Sequence, residues 1–244
     1  MSFSWTRVAA IFHKELRDYR RNRFVVVFTM SILPLIFIVL PMVQLFTIPA
    51  SVATHKLETR IGASLLYMLL IPAIVPSALS AYSVVGEREQ GTLEPVLITP
   101  IRREEFLVGK ATAALVPTLA MAYLIFGIFL AAAALFAHAA VESTVFEGKH
   151  LLVQLVFTPL LAGWSIWVGI AISTRSNDVR AAQQLSVLGN LPLVALSTLL
   201  AFNVIKPTLA LALVLGGVLI VVDRLGWRVV SAMFDRERLI TNTR

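Results

Sequence analysis

Charged side chains are missing from long stretches of this chain, and that pattern limits the folds open to it more than any other feature. Runs without Asp, Glu, Lys or Arg cover residues 24–48, 61–85, 111–137, 151–173, 181–203 and 207–222. About 20 apolar residues in a helix cross a hydrocarbon core of about 30 Å, so the runs predict an all-α membrane protein with six transmembrane helices. The composition agrees: 14% of residues are charged and mean hydropathy is +0.83, against about 25% charged in soluble domains. Soluble enzymes and collagen-like or disordered chains are excluded. The sixth run is the shortest; either Lys206 snorkels to lengthen it, or runs five and six form a partly re-entrant hairpin.

Orientation follows from Lys and Arg, which resist translocation while acidic residues count for little. Residues 1–23 hold six, 86–110 four, 174–180 two and 223–244 five. Lys56, Arg60, Lys149 and Lys206 fall on the other side. Both termini are therefore predicted to be cytoplasmic in a multi-pass protein of the inner, or plasma, membrane. The first run exceeds the core of a cleavable signal peptide and lacks its small-residue cleavage site. The net charge of +7 is assigned to anionic headgroups and topology, not to nucleic acid. With no cysteine in the sequence, disulfides, thiolate metal sites and catalytic thiols are excluded.

Residues 1–23 predict an interfacial amphipathic helix. At 100° per residue Trp5, Val8, Phe12, Leu16 and Tyr19 share one face, while Arg7, Lys14, Arg17 and Arg21 point away. A plain basic flank that only fixes topology is the alternative, and Glu15 at the edge of the stripe favours it. The six-helix domain is expected over 24–223 and a cytoplasmic tail over 224–244.

Catalytic motifs are absent. No HExxH and no G-x-S-x-G occurs, and Gly109-Lys110-Ala111-Thr112 lacks both the upstream glycine of a P-loop and its hydroxyl residue after the lysine. Since no charge lies inside the six runs, a self-contained secondary carrier lacks ion-coupling groups. A channel or a plain membrane anchor are the other rivals. His55, His138 and His150 sit in outer loops without metal-ligand spacing. Within the fifth run Gln184, Asn190, Ser197 and Asn203 either line a translocation path or hydrogen-bond neighbouring helices.

The cytoplasmic loop 86–110 carries the most information. Gly91 and Thr92 end the inner extension of the second run, Thr92 as an N-cap, and Thr99-Pro100 suggests a second helix start. Between them Leu93, Val96 and Leu97 form an apolar knob among five carboxylates and Arg88, Arg102 and Arg103. It needs a partner groove unless its leucines dip into lipid.

The run Glu-Arg-Glu-x-Gly-Thr-Leu-Glu-x-x-Leu-x-Thr-Pro-Ile, followed by Leu-x-Gly-Lys at the head of a membrane helix, resembles the cytoplasmic loop of ABC-2 type transporter permeases. These are the integral subunits of bacterial ABC exporters. The basic amino-terminal helix, six spans, cytoplasmic ends and length are similar as well. The resemblance implies a coupling helix within 86–98, with Glu87, Arg88, Glu89, Gly91, Thr92, Leu93, Glu94, Pro95 and Leu97 meeting a separate ATPase subunit. It also implies two ATPase copies, a second permease copy, identical or related, and ATP with Mg²⁺ held by the partner. No cofactor or metal is expected in this chain. The substrate is expected to be a drug, lipid or other amphipathic molecule. The short connection between runs five and six departs from family members with an extended outer element, so no large extracellular lid is expected.

Overall fold

The computed structural model describes residues 3–23, 25–49, 54–91, 101–201 and 209–233, and no strand occurs among them. Helix α1 is Trp5–Arg21. A π-helical run, Val25–Ile32, leads into α2, Leu33–Thr47. Next come α3, Thr54–Glu89, α4, Arg103–Phe136, and the short α5, Ala139–Val145. Helix α6 is Gly148–Arg175, α7 Val179–Gly189, α8 Leu191–Ala201 and α9 Leu209–Met233.

Helix α3 is the hub, packing against α2, α4, α6, α7 and α8. Small residues allow this. A Cβ on Gly169 of α6 would meet the Ser77 carbonyl of α3 at 2.7 Å, so glycine is what lets the two backbones approach. Serines then link them: Ser165 donates to the Ala73 carbonyl at 2.8 Å and Ser173 to the Ala81 carbonyl at 2.6 Å. Such hydrogen bonds between helices replace the hydrophobic drive that lipid does not supply.

At 1.5 Å per residue, the 36 residues of α3 and 34 of α4 extend about 50 Å, well beyond a hydrocarbon core. Five helices are long and apolar enough to cross a membrane among the described residues, in place of the expected six. The difference lies in the fifth run, which breaks at Asn190 into α7 and α8 of 11 residues each. Pro192 falls at the second position of α8, where its missing N–H interrupts no helical bond. Each half reaches only about 16 Å.

The last helix differs too. It does not stop at residue 222 but continues through Asp223, Arg224 and Arg228 to Met233. Gly163 of α6 abuts Asp223, and Gly226 abuts Trp167, so α6 and α9 run parallel. The same register sets Asp223 beside the middle of α6. One carboxylate oxygen of Asp223 is buried with no hydrogen-bond partner among the described residues.

Candidate functional site

The loop singled out by sequence begins at the end of α3, where α1, α3, α4, α6 and α7 meet. Helix α3 closes on Gly91, whose φ of 66° is the left-handed geometry that ends helices and that glycine adopts without a Cβ clash. Beyond it, Thr92, Leu93, Glu94, Pro95, Leu97 and the expected second start at Thr99-Pro100 lie outside the described residues. The next helix, α4, begins at Arg103, with Arg102 at its N-cap.

Under Gly91 lies a buried ion network. Lys110 of α4 is 1% exposed, and its ammonium reaches Glu15 of α1 at 2.7 Å, Glu87 of α3 at 3.0 Å and the Ser83 carbonyl at 2.7 Å. Two of these contacts are hydrogen bonds, to Glu15 and the Ser83 carbonyl, and Glu87 adds an ion pair; the cation also lies 4.7 Å from the centre of the Phe106 ring. Lys14 closes the ring from the outside. It pairs with Glu15 at 3.1 Å, Asp18 at 3.2 Å and Glu87. Burial alone would raise the Glu15 carboxyl, but the ammonium groups of Lys110 and Lys14 outweigh it and hold the group below its ordinary value. Burial works to lower Lys14; Glu15 and Glu87 overcome that and raise it above the ordinary lysine value. The Tyr19 hydroxyl, fully buried nearby, is raised by burial and then by Glu15 and Glu87.

The network docks α1. Its buried face is Val8, Ile11, Glu15 and Tyr19, spaced by three and four residues as one helical stripe. This is rotated from the predicted apolar face, since Trp5 is 71% exposed while Phe12 and Leu16 are only partly covered. Gly109 makes the approach possible: a Cβ there would lie 2.7 Å from that of Ile11. Glu105 fastens the other end of α1. Its carboxylate accepts from the backbone N–H of Ser4 at 2.7 Å and of Arg102 at 3.0 Å, and pairs with Arg7 at 3.3 Å.

Each residue of Glu87-Arg88-Glu89 serves a different neighbour. Glu87 is 6% exposed and turned into the network, where two cations draw it inward. Arg88 donates to the carbonyls of Thr174 at 3.2 Å and Ser176 at 2.9 Å, satisfying the carboxyl end of α6. Glu89 accepts from the N–H of Val179 at 3.1 Å, the first residue of α7, where a carboxylate suits the helix dipole.

Of the residues assigned to a path, Asn190 is fully buried and spent on structure. Its amide nitrogen donates to the Ser186 carbonyl at 2.9 Å, and its oxygen accepts from Ser165 at 3.1 Å. Gln184 is exposed, Ser197 borders a lateral groove, and Asn203 lies outside the described residues. Sequence reasoning passes over Glu15, Lys14 and Lys110 as site residues. Their signal is a carboxylate on the rim of an apolar stripe, and a lysine at the edge of a run that needs none.

The family model described as ABC-2 family transporter protein matches residues 9–214, a stretch that contains the whole ion network. Among curated proteins no relative matches the chain.

Proposed function

The chain belongs to the ABC-2 family of transporter proteins, and from that premise we propose that it exports its substrate with energy drawn from a separate ATP-binding subunit docked on segment 92–100. Membership makes it a membrane-embedded permease component of an ABC transporter, which associates with an ABC ATPase subunit. Two permease copies work with two ATPase copies, which hold the ATP and Mg²⁺. The substrate is an amphipathic molecule such as a drug or lipid.

The observation that carries this reading is the anchoring of the docking segment. Force applied to segment 92–100 enters α3 at Gly91. From there Glu87 passes it to α1 and α4, Arg88 to α6 and Glu89 to α7. A solvated loop has no need of such a base; a coupling element does, because displacement is transmitted only through contiguous packed and hydrogen-bonded groups. The exposed Phe3 and Trp5 rings, 5.1 Å apart edge to face, suit a headgroup layer beside α1.

For topology, the basic residues and the parallel course of α6 and α9 favour six crossings with α7 and α8 as one broken crossing, and both termini cytoplasmic. A reporter after Arg244 and one in loop 174–180 should be cytoplasmic, and one near His55 or Gly148 translocated. A cytoplasmic reporter at His55 would overturn this topology.

Leu93→Ala with Leu97→Ala tests the coupling. Truncating apolar anchors at a packed contact costs about 2 kcal/mol or more, roughly 30-fold in affinity. The variant should insert normally yet lose co-purification with the ATPase and substrate-stimulated hydrolysis. Full retention of both would remove the docking role from this segment.

A further inference from the structure

Far from the ion network, α3, α6, α8 and α9 enclose a lateral groove of about 260 Å³. Its polar members gather at one end, Glu58, Lys149 and His150, with Ser197 midway. The body is apolar, formed by residues such as Leu65, Phe157 and Leu215. Along α6 the lining runs from Lys149 to Leu161, about 18 Å at 1.5 Å per residue. This is close to one leaflet, half of a hydrocarbon core of about 30 Å. The floor is Leu219, 7% exposed, one helical turn before Asp223.

The charged end is mixed in sign. Lys149 lies 2.5 Å from Glu147 and 3.8 Å from Glu58, and these side chains are all at least 41% exposed. A purely anionic head would meet both carboxylates, and a purely cationic one would meet Lys149. A phosphate next to an ammonium finds a partner for each charge.

We propose that this groove binds one zwitterionic phospholipid from the leaflet remote from α1, with one acyl chain along Phe157 and Leu215 and its head against the exposed Lys149 and Glu58 side chains. The site rests on the membrane reading alone. It needs neither nucleotide nor the ATPase, so its failure is separable from failure of the coupling reading.

The test is native mass spectrometry of the permease released from nanodiscs of equal phosphatidylethanolamine and phosphatidylglycerol. One phosphatidylethanolamine should persist per chain. Ala212→Phe, which fills the groove, should reduce its occupancy at least about tenfold, whereas Leu124→Phe on the exposed face of α4 should not. Lys149→Glu alters an exposed side chain and should abolish the preference for the zwitterionic lipid without unfolding the protein. Equal retention of both lipids by the unaltered protein, or undiminished occupancy in Ala212→Phe, would overturn the assignment.

Discussion

Replacing Lys110 by methionine probes the ion network with little change in side-chain length. The substitution removes three charge-assisted contacts, to Glu15, Glu87 and the Ser83 carbonyl, and leaves two carboxylates facing one another. Lys14, whose side chain is 40% exposed, would still pair with both. Breaking a buried ion pair from one side costs about 3–5 kcal/mol, because the abandoned charge stays buried. At 1.36 kcal/mol per decade that is about two to four decades in the docking equilibrium of α1. Amide hydrogen exchange over α1 in the detergent-solubilised protein reads that equilibrium directly. Protection at Ile11 and Glu15 should collapse in Lys110→Met. Adding Glu87→Gln should restore part of it, since the remaining carboxylate keeps Lys14. If protection in Lys110→Met stays within threefold of the unaltered protein, the network is not what holds α1 in place.

The pH dependence of α1 docking has two limits. Glu15 is depressed on folding, so its contribution is complete above its ordinary value of 4.5 and disappears as pH falls through the lower folded value; Lys14 is raised, so its share is complete below 10.5 and disappears as pH rises beyond. Exchange protection of α1 should therefore be flat near neutrality and fall at both extremes, and a fall centred between pH 6 and 8 would assign control to some other group. Gly169→Ala places a methyl 2.7 Å from the Ser77 carbonyl, and overpacking of this kind should cost about 1–3 kcal/mol, visible as a lower melting temperature. Asp223→Asn separates an ATP-driven permease from an ion-coupled carrier: ATP-dependent transport in proteoliposomes should survive it, whereas loss of transport driven by an imposed proton gradient would favour the carrier.

The bundle is legible in the sequence where a single run of apolar residues makes a single helix. The run at 24–48 divides into a π-helical stretch and α2; the runs at 61–85, 111–137 and 151–173 each form one long helix, because hydropathy reports burial in lipid directly. It does not report continuity. The break at Asn190 places no charge in the run, and its cause is local: Pro192 and the bonds of Asn190 to Ser165 and Ser186. Charge misleads in the opposite direction at Asp223, where a carboxylate suggests the end of a helix that continues for ten more residues to Met233. The bundle-facing side of α1 is hidden because Glu15 counts as polar in any periodicity, although Lys110, 95 positions away, makes it part of the core. The motif at 87–91 does not reveal that Glu87, Arg88 and Glu89 make inward contacts with the bundle. Helix ends that need capping, such as those at Thr174 and Val179, cannot be recognised until their spatial neighbours are known.

The left-handed Gly91 divides the motif into two parts with different owners. Upstream, Glu87, Arg88 and Glu89 answer to side chains and helix ends of their own bundle; downstream, residues 92–100 are the segment proposed to meet the ATPase. A chimera that exchanges partner preference between two such permeases should therefore be cut at the glycine. The recipient keeps its own acidic-basic-acidic triplet, and the donor supplies only the residues beyond the glycine. A swap that carries the triplet across would import charges whose counterparts at Lys14, Lys110, Thr174 and Val179 stayed behind, and the hybrid would be lost at assembly before its choice of ATPase was ever tested.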